Sequence, residues 1–173
     1  GDVTGYIQTN LMSMTDGHIF FDGELFFKGR RPAINPFVSV TRVGHQTQTN
    51  LAREAGRVLL DILSGYERTQ SFLKFGAELG ESSRQILTMG DRVLAFFDQP
   101  TAKTVPYNLQ LTLLAMLVSG MWNGKNLNKL LEVIDKDKLI LEMVDKMVET
   151  SENMTNLMDQ VRKNCEKLLT YLA

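Results

Sequence analysis

Apolar residues recur at three- and four-residue steps through most of the chain, and this spacing predicts amphipathic helices. Thr49 or Asn50 can cap the first helix. Its apolar face comprises Leu51, Ala55, Val58, Leu59, Ile62 and Leu63. A second helix is predicted over residues 80–97. The third begins at Pro106 and is apolar on almost every side as far as Trp122, so we expect it at the centre of a bundle.

The same spacing continues towards the end of the chain. Asn123–Gly124 is predicted to break the central helix, Leu127 begins a further one, and the mixed charges of residues 135–138 indicate a turn or a solvated face. The last predicted helix has an apolar stripe with nearly heptad spacing. This stripe contains Met154, Leu157, Met158, Val161, Cys165, Leu168 and Leu172. We therefore interpret Cys165 as a small core residue.

The first quarter of the chain lacks this periodicity, and glycine and proline interrupt its short apolar runs. Residues 10–15 and 18–21 are strand candidates on either side of Asp16–Gly17, a strong tight-turn signal. The pattern predicts a β-hairpin, which needs a sheet or a helix to lie on.

An irregular segment is predicted to follow the hairpin. Residues 25–28 can form one helical turn that Gly29 ends, and residues 30–43 are predicted to be an extended, proline-punctuated loop. The change of texture divides the chain into two predicted domains, residues 1–45 and 46–173.

Composition narrows the class of protein. The 173 residues include 19 Lys+Arg and 20 Asp+Glu, so the net charge of -1 gives no general attraction to nucleic acid or to anionic lipid. The longest uncharged apolar run, residues 109–123, is shorter than the roughly 20 residues of a membrane helix. The single cysteine cannot form an internal disulfide, and no Cys/His spacing suits a metal site.

One segment departs from this balanced charge. Residues 25–53 contain no acidic residue. Their cations are Lys28, Arg30, Arg31, Arg42 and Arg53. Arginines in loops suit the recognition of carboxylate or phosphate, because a guanidinium donates to two oxygens at once. The alternative is a basic surface loop whose arginines pair with acids elsewhere in the fold.

The sequence contains neither a P-loop motif nor a histidine at a catalytic or metal-binding spacing. No G-x-x-x-x-G-K-[ST] motif is present, because Gly124–Lys125 is followed by Asn126 and lacks the earlier glycine. The chain is therefore not expected to act alone as a P-loop enzyme. His18 and His45 have no partner residues at a catalytic or metal-ligating spacing.

The N-terminal residues nevertheless form a recognisable series. In order, it reads Gly1-Asp2-Val3, Tyr6-Ile7, Thr9-Asn10, Ser13, Thr15-Asp16-Gly17, Ile19-Phe20, Glu24-Leu25-Phe26, Lys28-Gly29, Arg31-Pro32-Ala33-Ile34-Asn35, Ser39-Val40, Arg42-Val43-Gly44 and Gln48-Thr49. This series closely resembles the alpha subunit of F-type ATP synthase. The resemblance continues more sparsely to Gln99, and the turn at residues 15–17 and the loop at residues 39–44 favour alpha over beta.

The resemblance implies a mainly α chain with two parts. Residues 1–45 would be the last strands and loops of a RecA-like α/β nucleotide-binding domain, and residues 46–173 would be a C-terminal helical bundle. The sequence begins at Gly1 rather than at a methionine. We therefore expect it to be the tail of a larger subunit.

The resemblance also implies site residues. Arg42 matches an arginine finger that reaches in trans into the catalytic site of beta, with Ser13 and Ser39 beside it. Arg31, Pro32 and Gln99 match residues of alpha's own noncatalytic nucleotide site.

The implied function is that of the noncatalytic subunit in an alpha-beta hexamer that makes or hydrolyses ATP by rotation. The implied partners are the beta subunit and the gamma subunit of the central stalk, without nucleic acid and without direct membrane insertion. ATP or ADP with Mg²⁺ would bind in the full-length assembly and not to the isolated chain. The expected location is a peripheral complex on the cytoplasmic face of the bacterial inner membrane, or its organelle equivalent.

Two other interpretations stay open at this point. One is a subunit of an alternative rotary or secretion ATPase. The other is a free-standing helical interaction module without enzymatic activity.

Overall fold

The computed structural model describes residues 4–74, 80–98, 104–124, 127–134, 138–164 and 169–170. The chain divides into two compact units, Gly1–Thr49 and Asn50–Ala173. The helices are α1 (Tyr6–Met14), α2 (Gly23–Phe27), α3 (Gly44–Thr47), α4 (Asn50–Lys74), α5 (Glu81–Phe97), α6 (Tyr107–Val118), α7 (Leu127–Ile134), α8 (Lys138–Glu149) and α9 (Met154–Asn164). The strands are β1 (Gly17–His18) and β2 (Val40–Thr41). The predicted mainly α fold is confirmed.

Helix α6 lies at the centre of the second unit because most of its side chains are apolar and buried. Leu109, Leu113 and Leu117 are completely buried. Thr112 is also buried, and its hydroxyl donates to the carbonyl of Asn108 at 3.0 Å. Helices α4, α5, α8 and α9 all pack against α6. The predicted central position of this helix is confirmed.

Helix α6 ends at Val118, before the predicted limit at Trp122. Gly120 has a φ of +75°, which a glycine adopts without strain. The N–H of Met121 donates back to the carbonyl of Met116 at 2.9 Å, so the chain turns as soon as the helix stops. The break therefore comes earlier than the Asn-Gly signal suggested.

Helices α4 and α5 cross closely at Gly90. A methyl group at position 90 would collide with the ring of Tyr66, so glycine permits the approach. The Tyr66 hydroxyl donates to the Asp91 carboxylate at 2.7 Å and accepts from the side-chain amide of Gln70 at 2.7 Å. Burial and the neighbouring carboxylate raise the pKa of Tyr66 to about 12.

In the first unit, the predicted β-hairpin is wrong. Most of its first predicted strand, residues 10–15, belongs to helix α1. Strand β1 pairs antiparallel with β2, so that Gly17 lies opposite Thr41 and His18 lies opposite Val40. Strand β2, which is distant in the sequence, thus pairs with β1 in place of the predicted first strand of the hairpin.

The helical conformation of α1 follows from its side chains. Leu11, Met12 and Met14 are unbranched at Cβ and have good helix propensity. The Ser13 hydroxyl donates to the carbonyl of Asn10 at 2.8 Å, which satisfies that hydroxyl within the helix. Local preference therefore favours the helix over the alternating pattern of a strand.

Helix α2 confirms the predicted helical turn. Asp22 caps its N-terminus, because its carboxylate accepts from the N–H of Glu24 at 2.8 Å. Gly29 follows with a φ of +87°, which ends the element as predicted.

Some predictions lie outside the described residues. They include most of the turn or solvated face predicted at residues 135–138, and the positions of Cys165, Leu168 and Leu172 in the last stripe. Among the residues that the structure does describe, no helix is long and apolar enough to span a bilayer.

Candidate functional site: the Arg42 loop

Antiparallel pairing of β1 with β2 positions the loop that carries Arg42. Gly17 lies opposite Thr41, and a Cβ at position 17 would meet the Val40 carbonyl oxygen at 2.6 Å. Glycine is therefore required for this close backbone approach. The N–H of Arg42 donates to the carbonyl of Asp16 at 2.9 Å. The pairing thus extends one residue beyond β2 and fixes the backbone of Arg42.

Ser39 holds the base of the same loop. Its hydroxyl accepts from the N–H of Phe20 at 3.0 Å and donates to the carbonyl of Asn35 at 2.6 Å. The side-chain amide of Asn35 donates to the Asp22 carboxylate at 3.1 Å. This bond is the main cause that lowers the pKa of Asp22 below its ordinary value. Ser39 is therefore engaged inside the first unit.

The guanidinium of Arg42 lies exposed at the surface. It donates to the carbonyls of Ser13 and Met12, each at 3.4 Å, in the last turn of α1. The negative end of a helix dipole attracts a cation at this place, but 3.4 Å is longer than the usual N–H···O distance. The structure thus brings Arg42 and Ser13 together, through the Ser13 backbone rather than its hydroxyl.

Arg31 is held more firmly than Arg42. It is half-buried, and it donates to the carbonyls of Phe26 and Arg30, each at 2.8 Å. Its guanidinium carbon also lies 3.6 Å from the centre of the Phe26 ring. The Arg31–Pro32 peptide bond is cis, and Pro32 is exposed. Gln99, the third predicted residue of the nucleotide pocket, lies outside the described residues.

The observed partners of these two arginines are neutral. Within the described ranges, Arg31 and Arg42 contact carbonyl oxygens and a ring, and neither pairs with a carboxylate. Among the described residues, no acid cancels their charge, which differs from the alternative of a basic loop paired with distant acids. A guanidinium in this state can bind an anionic oxygen of a partner or ligand.

The importance of Asn35 was not predicted from the sequence. Its side-chain oxygen accepts from the N–H of Phe37 at 3.0 Å, which forms a tight Asx turn around Pro36. Asparagine before proline is a known signal for turn initiation, and it marks this position in the sequence. Asn35 therefore positions the Arg42 loop through Ser39.

Comparison with known proteins identifies the family. The family model for the ATP synthase alpha/beta chain, C-terminal domain, matches residues 48–172. This match covers most of the chain, including the whole described part of the helical unit. The chain belongs to the ATP synthase alpha/beta chain family.

Within that family, the similar curated proteins are alpha subunits. It is 33% identical to ATP synthase subunit alpha of Clostridium acetobutylicum over 94% of this chain and 35% of that protein. It is 33% identical to the subunit alpha of Lactobacillus johnsonii over 94% of this chain and 30% of that protein. It is 40% identical to the subunit alpha of Clostridium kluyveri over 66% of this chain and 23% of that protein. The chain thus spans about a third of the length of the first two relatives. Together with the match to the C-terminal domain, it corresponds to the C-terminal part of an alpha subunit.

Proposed function

We propose that the chain works within an ATP synthase alpha subunit and supplies Arg42 to a nucleotide site on a neighbouring beta subunit. The observation that supports this proposal most strongly is the state of Arg42 itself. Its backbone is fixed by strand pairing, while its exposed guanidinium makes two long bonds to neutral carbonyls and, among the described residues, pairs with no carboxylate. Such a group can move to a partner's phosphate at little cost in lost contacts.

The physical role of Arg42 would be to stabilise charge during phosphoryl transfer. In that reaction, negative charge is spread over the equatorial oxygens of the transferred group, and a guanidinium can donate to two of them. An arginine supplied by a second chain is worth about 10³ to 10⁵ in rate in nucleotide hydrolases. Because the arginine belongs to another subunit, movement at the interface can insert or withdraw it.

Ser39 and Ser13 would support Arg42 in different ways. Ser39 would keep the loop in position through its bonds to Phe20 and Asn35. Ser13 would offer its carbonyl as a resting contact for the guanidinium.

Arg31, Pro32 and Gln99 would belong to a second, noncatalytic nucleotide site of the alpha subunit. In this region, the Arg31 guanidinium stacks on the Phe26 ring. ATP or ADP with Mg²⁺ would bind there in the full-length assembly. The isolated chain has no P-loop sequence, so we expect it to hydrolyse no ATP.

The assembly would be an alpha-beta hexamer around a gamma subunit, attached peripherally to the cytoplasmic face of the bacterial inner membrane. The named relatives are ATP synthase alpha subunits, and this supports membership of such a complex.

Replacement of Arg42 by alanine in the complete enzyme tests the proposal. We expect steady-state ATP hydrolysis to fall by about 10³-fold or more, because the transition state loses its guanidinium. Nucleotide affinity at the beta site should change much less, since the arginine acts mainly on charge that develops during the reaction. Turnover and nucleotide binding are measured on the same preparation.

The matched control is Arg57→Ala, which removes an exposed arginine from helix α4. This variant should retain normal turnover. Near-normal turnover of Arg42→Ala in a correctly assembled enzyme would contradict the proposed role.

A further inference from the structure

The imidazole of His18 contacts the loop that carries Arg42. His18 belongs to β1 and lies opposite Val40 of β2 in the antiparallel register. Its Nε2 lies 2.9 Å from the carbonyl oxygen of Val38. A carbonyl oxygen accepts hydrogen bonds and does not donate them, so this geometry requires a hydrogen on Nε2. The ring therefore donates to the loop.

This bond belongs to a row of contacts between the β1 segment and the loop. The hydroxyl of Ser39 accepts from the N–H of Phe20, and the N–H of Arg42 donates to the carbonyl of Asp16. His18 adds a contact just before Ser39 in the chain. In these contacts Phe20 and Asp16 contribute backbone atoms, whereas His18 contributes its side chain. A substitution of His18 can therefore remove one contact and leave the backbone pairing in place.

The position of the loop decides where the Arg42 guanidinium can reach. The two bonds from this group to α1 are 3.4 Å long, so they fix the side chain weakly. The direction of its reach therefore depends on the backbone from which it projects. A misplacement of about 1 Å in an enzyme can cost about a hundredfold in rate, because catalytic groups must face the reacting atoms. A small shift of the loop would thus change the rate of the reaction.

The bond from His18 to Val38 lies at the surface. Water can replace the imidazole at the Val38 carbonyl, so loss of the bond would cost little stability. Water cannot supply the fixed distance between β1 and the loop that the ring provides. The contribution of His18 is therefore to the position of the loop more than to the stability of the unit.

We infer that His18 is a positioning residue for Arg42, and that its Nε2–H holds the loop where the arginine can reach a phosphate on the partner. This inference rests on the proposed function of Arg42. His18 acts through the loop and takes no direct part in phosphoryl transfer. Sequence spacing gave no partner for this histidine because its bond goes to a backbone carbonyl, which leaves no residue pattern.

Substitutions of His18 in the complete enzyme test the inference. Glutamine carries an amide nitrogen at about the place of Nε2, whereas asparagine carries one at about the place of Nδ1. His18→Gln should therefore keep ATP hydrolysis close to normal. His18→Asn and His18→Ala should each lower it about tenfold, because the loop loses its donor. If the alanine variant fails to assemble, the matched pair of glutamine and asparagine still decides the outcome.

Nucleotide affinity distinguishes positioning from a general loss of structure. ADP with aluminium fluoride mimics the transferred phosphoryl group, and His18→Asn should bind it about tenfold more weakly. Its affinity for ADP and the unfolding temperature of the enzyme should stay close to normal. Gln8→Ala replaces an exposed polar residue of α1 and should behave normally in all three measurements.

The double variant His18→Asn/Arg42→Ala tests whether His18 acts through Arg42. Single-turnover hydrolysis is the measurement, because it detects slow rates. The double variant should be no slower than Arg42→Ala alone, since the position of the loop no longer matters once the guanidinium is absent.

Three results would overturn the inference. The first is normal turnover of His18→Asn beside slow turnover of Arg42→Ala, which would leave the proposed function intact. The second is an equal loss in the glutamine and asparagine variants, which would show that the Nε2 donor has no special role. The third is a double variant about tenfold slower than Arg42→Ala, which would make the two residues independent. Normal turnover of Arg42→Ala would contradict the proposed function itself, and the inference would fail with it.

Discussion

Arg31 and Arg42 differ in how strongly the first unit holds them. Arg31 makes two bonds of 2.8 Å and stacks on Phe26, whereas Arg42 makes two bonds of 3.4 Å at the surface. A good hydrogen bond from a charged group contributes about 1.5–3 kcal/mol, so moving Arg31 would cost far more than moving Arg42. The weaker hold on Arg42 suits its proposed action on a partner. The firmer hold on Arg31 suits a residue that stabilises its own loop.

At the scale of single residues, Tyr66 gives a pH-dependent prediction. Its folded-state pKa of about 12 lies above the ordinary value of 10.0, so the protonated hydroxyl favours the folded state. This contribution is complete below about pH 10 and is lost as the pH rises through about 12. We expect Tyr66→Phe to lower the free energy of unfolding by about 1 kcal/mol at neutral pH, because Asp91 and Gln70 lose their partner. The deficit relative to the unaltered chain should shrink above pH 10.

Urea unfolding at a series of pH values measures both effects. Tyr107→Phe serves as the control, because the Tyr107 side chain is exposed, and it should follow the unaltered chain. A deficit for Tyr66→Phe that stays constant through pH 12 would show that burial and the bond to Asp91 do not raise the pKa of Tyr66 as described.

At the scale of elements, the crossing of α4 and α5 depends on Gly90. Gly90→Ala should lower the free energy of unfolding by about 1–3 kcal/mol, because the new methyl group collides with the ring of Tyr66 and separates the helices. This expected loss of stability runs against helix propensity, which alone would favour alanine by about 0.5–1 kcal/mol. Chemical denaturation measures the net effect.

Gly56 in α4 provides the matched control, since a Cβ at that position meets no atom within 4 Å. Gly56→Ala should therefore stabilise the chain by about 0.5–1 kcal/mol. If both substitutions were stabilising, the close crossing at Gly90 would be excluded.

The elements also show which parts of the fold could be predicted from the sequence. The central helix α6 was predictable because its own sequence carries leucine and other apolar residues on nearly all sides. This pattern can be recognised within a short stretch of sequence. The pairing of Gly17 with Thr41 was not predictable, because it joins segments far apart in the sequence. An Asp-Gly turn signal between two apolar runs suggested a hairpin, but helix propensity in α1 and the nonlocal partner prevailed.

At the scale of the whole molecule, the near-neutral net charge of -1 conceals an uneven distribution. The acid-free stretch of residues 25–53 includes both arginines of the candidate site. Composition alone showed this stretch, but only the resemblance to alpha subunits singled out Arg42. The structure adds that Arg42 lies beside the C-terminal end of α1, and no periodicity in the sequence predicts that contact.

The most direct test of the central claim measures binding of a transition-state analogue to the complete enzyme. ADP with aluminium fluoride mimics the transferred phosphoryl group, whereas ADP alone does not. If Arg42 stabilises the transition state in trans, Arg42→Ala should weaken binding of the analogue at the beta site by about 10³-fold or more and leave ADP affinity nearly unchanged. Equal affinity of both enzymes for the analogue would contradict the account.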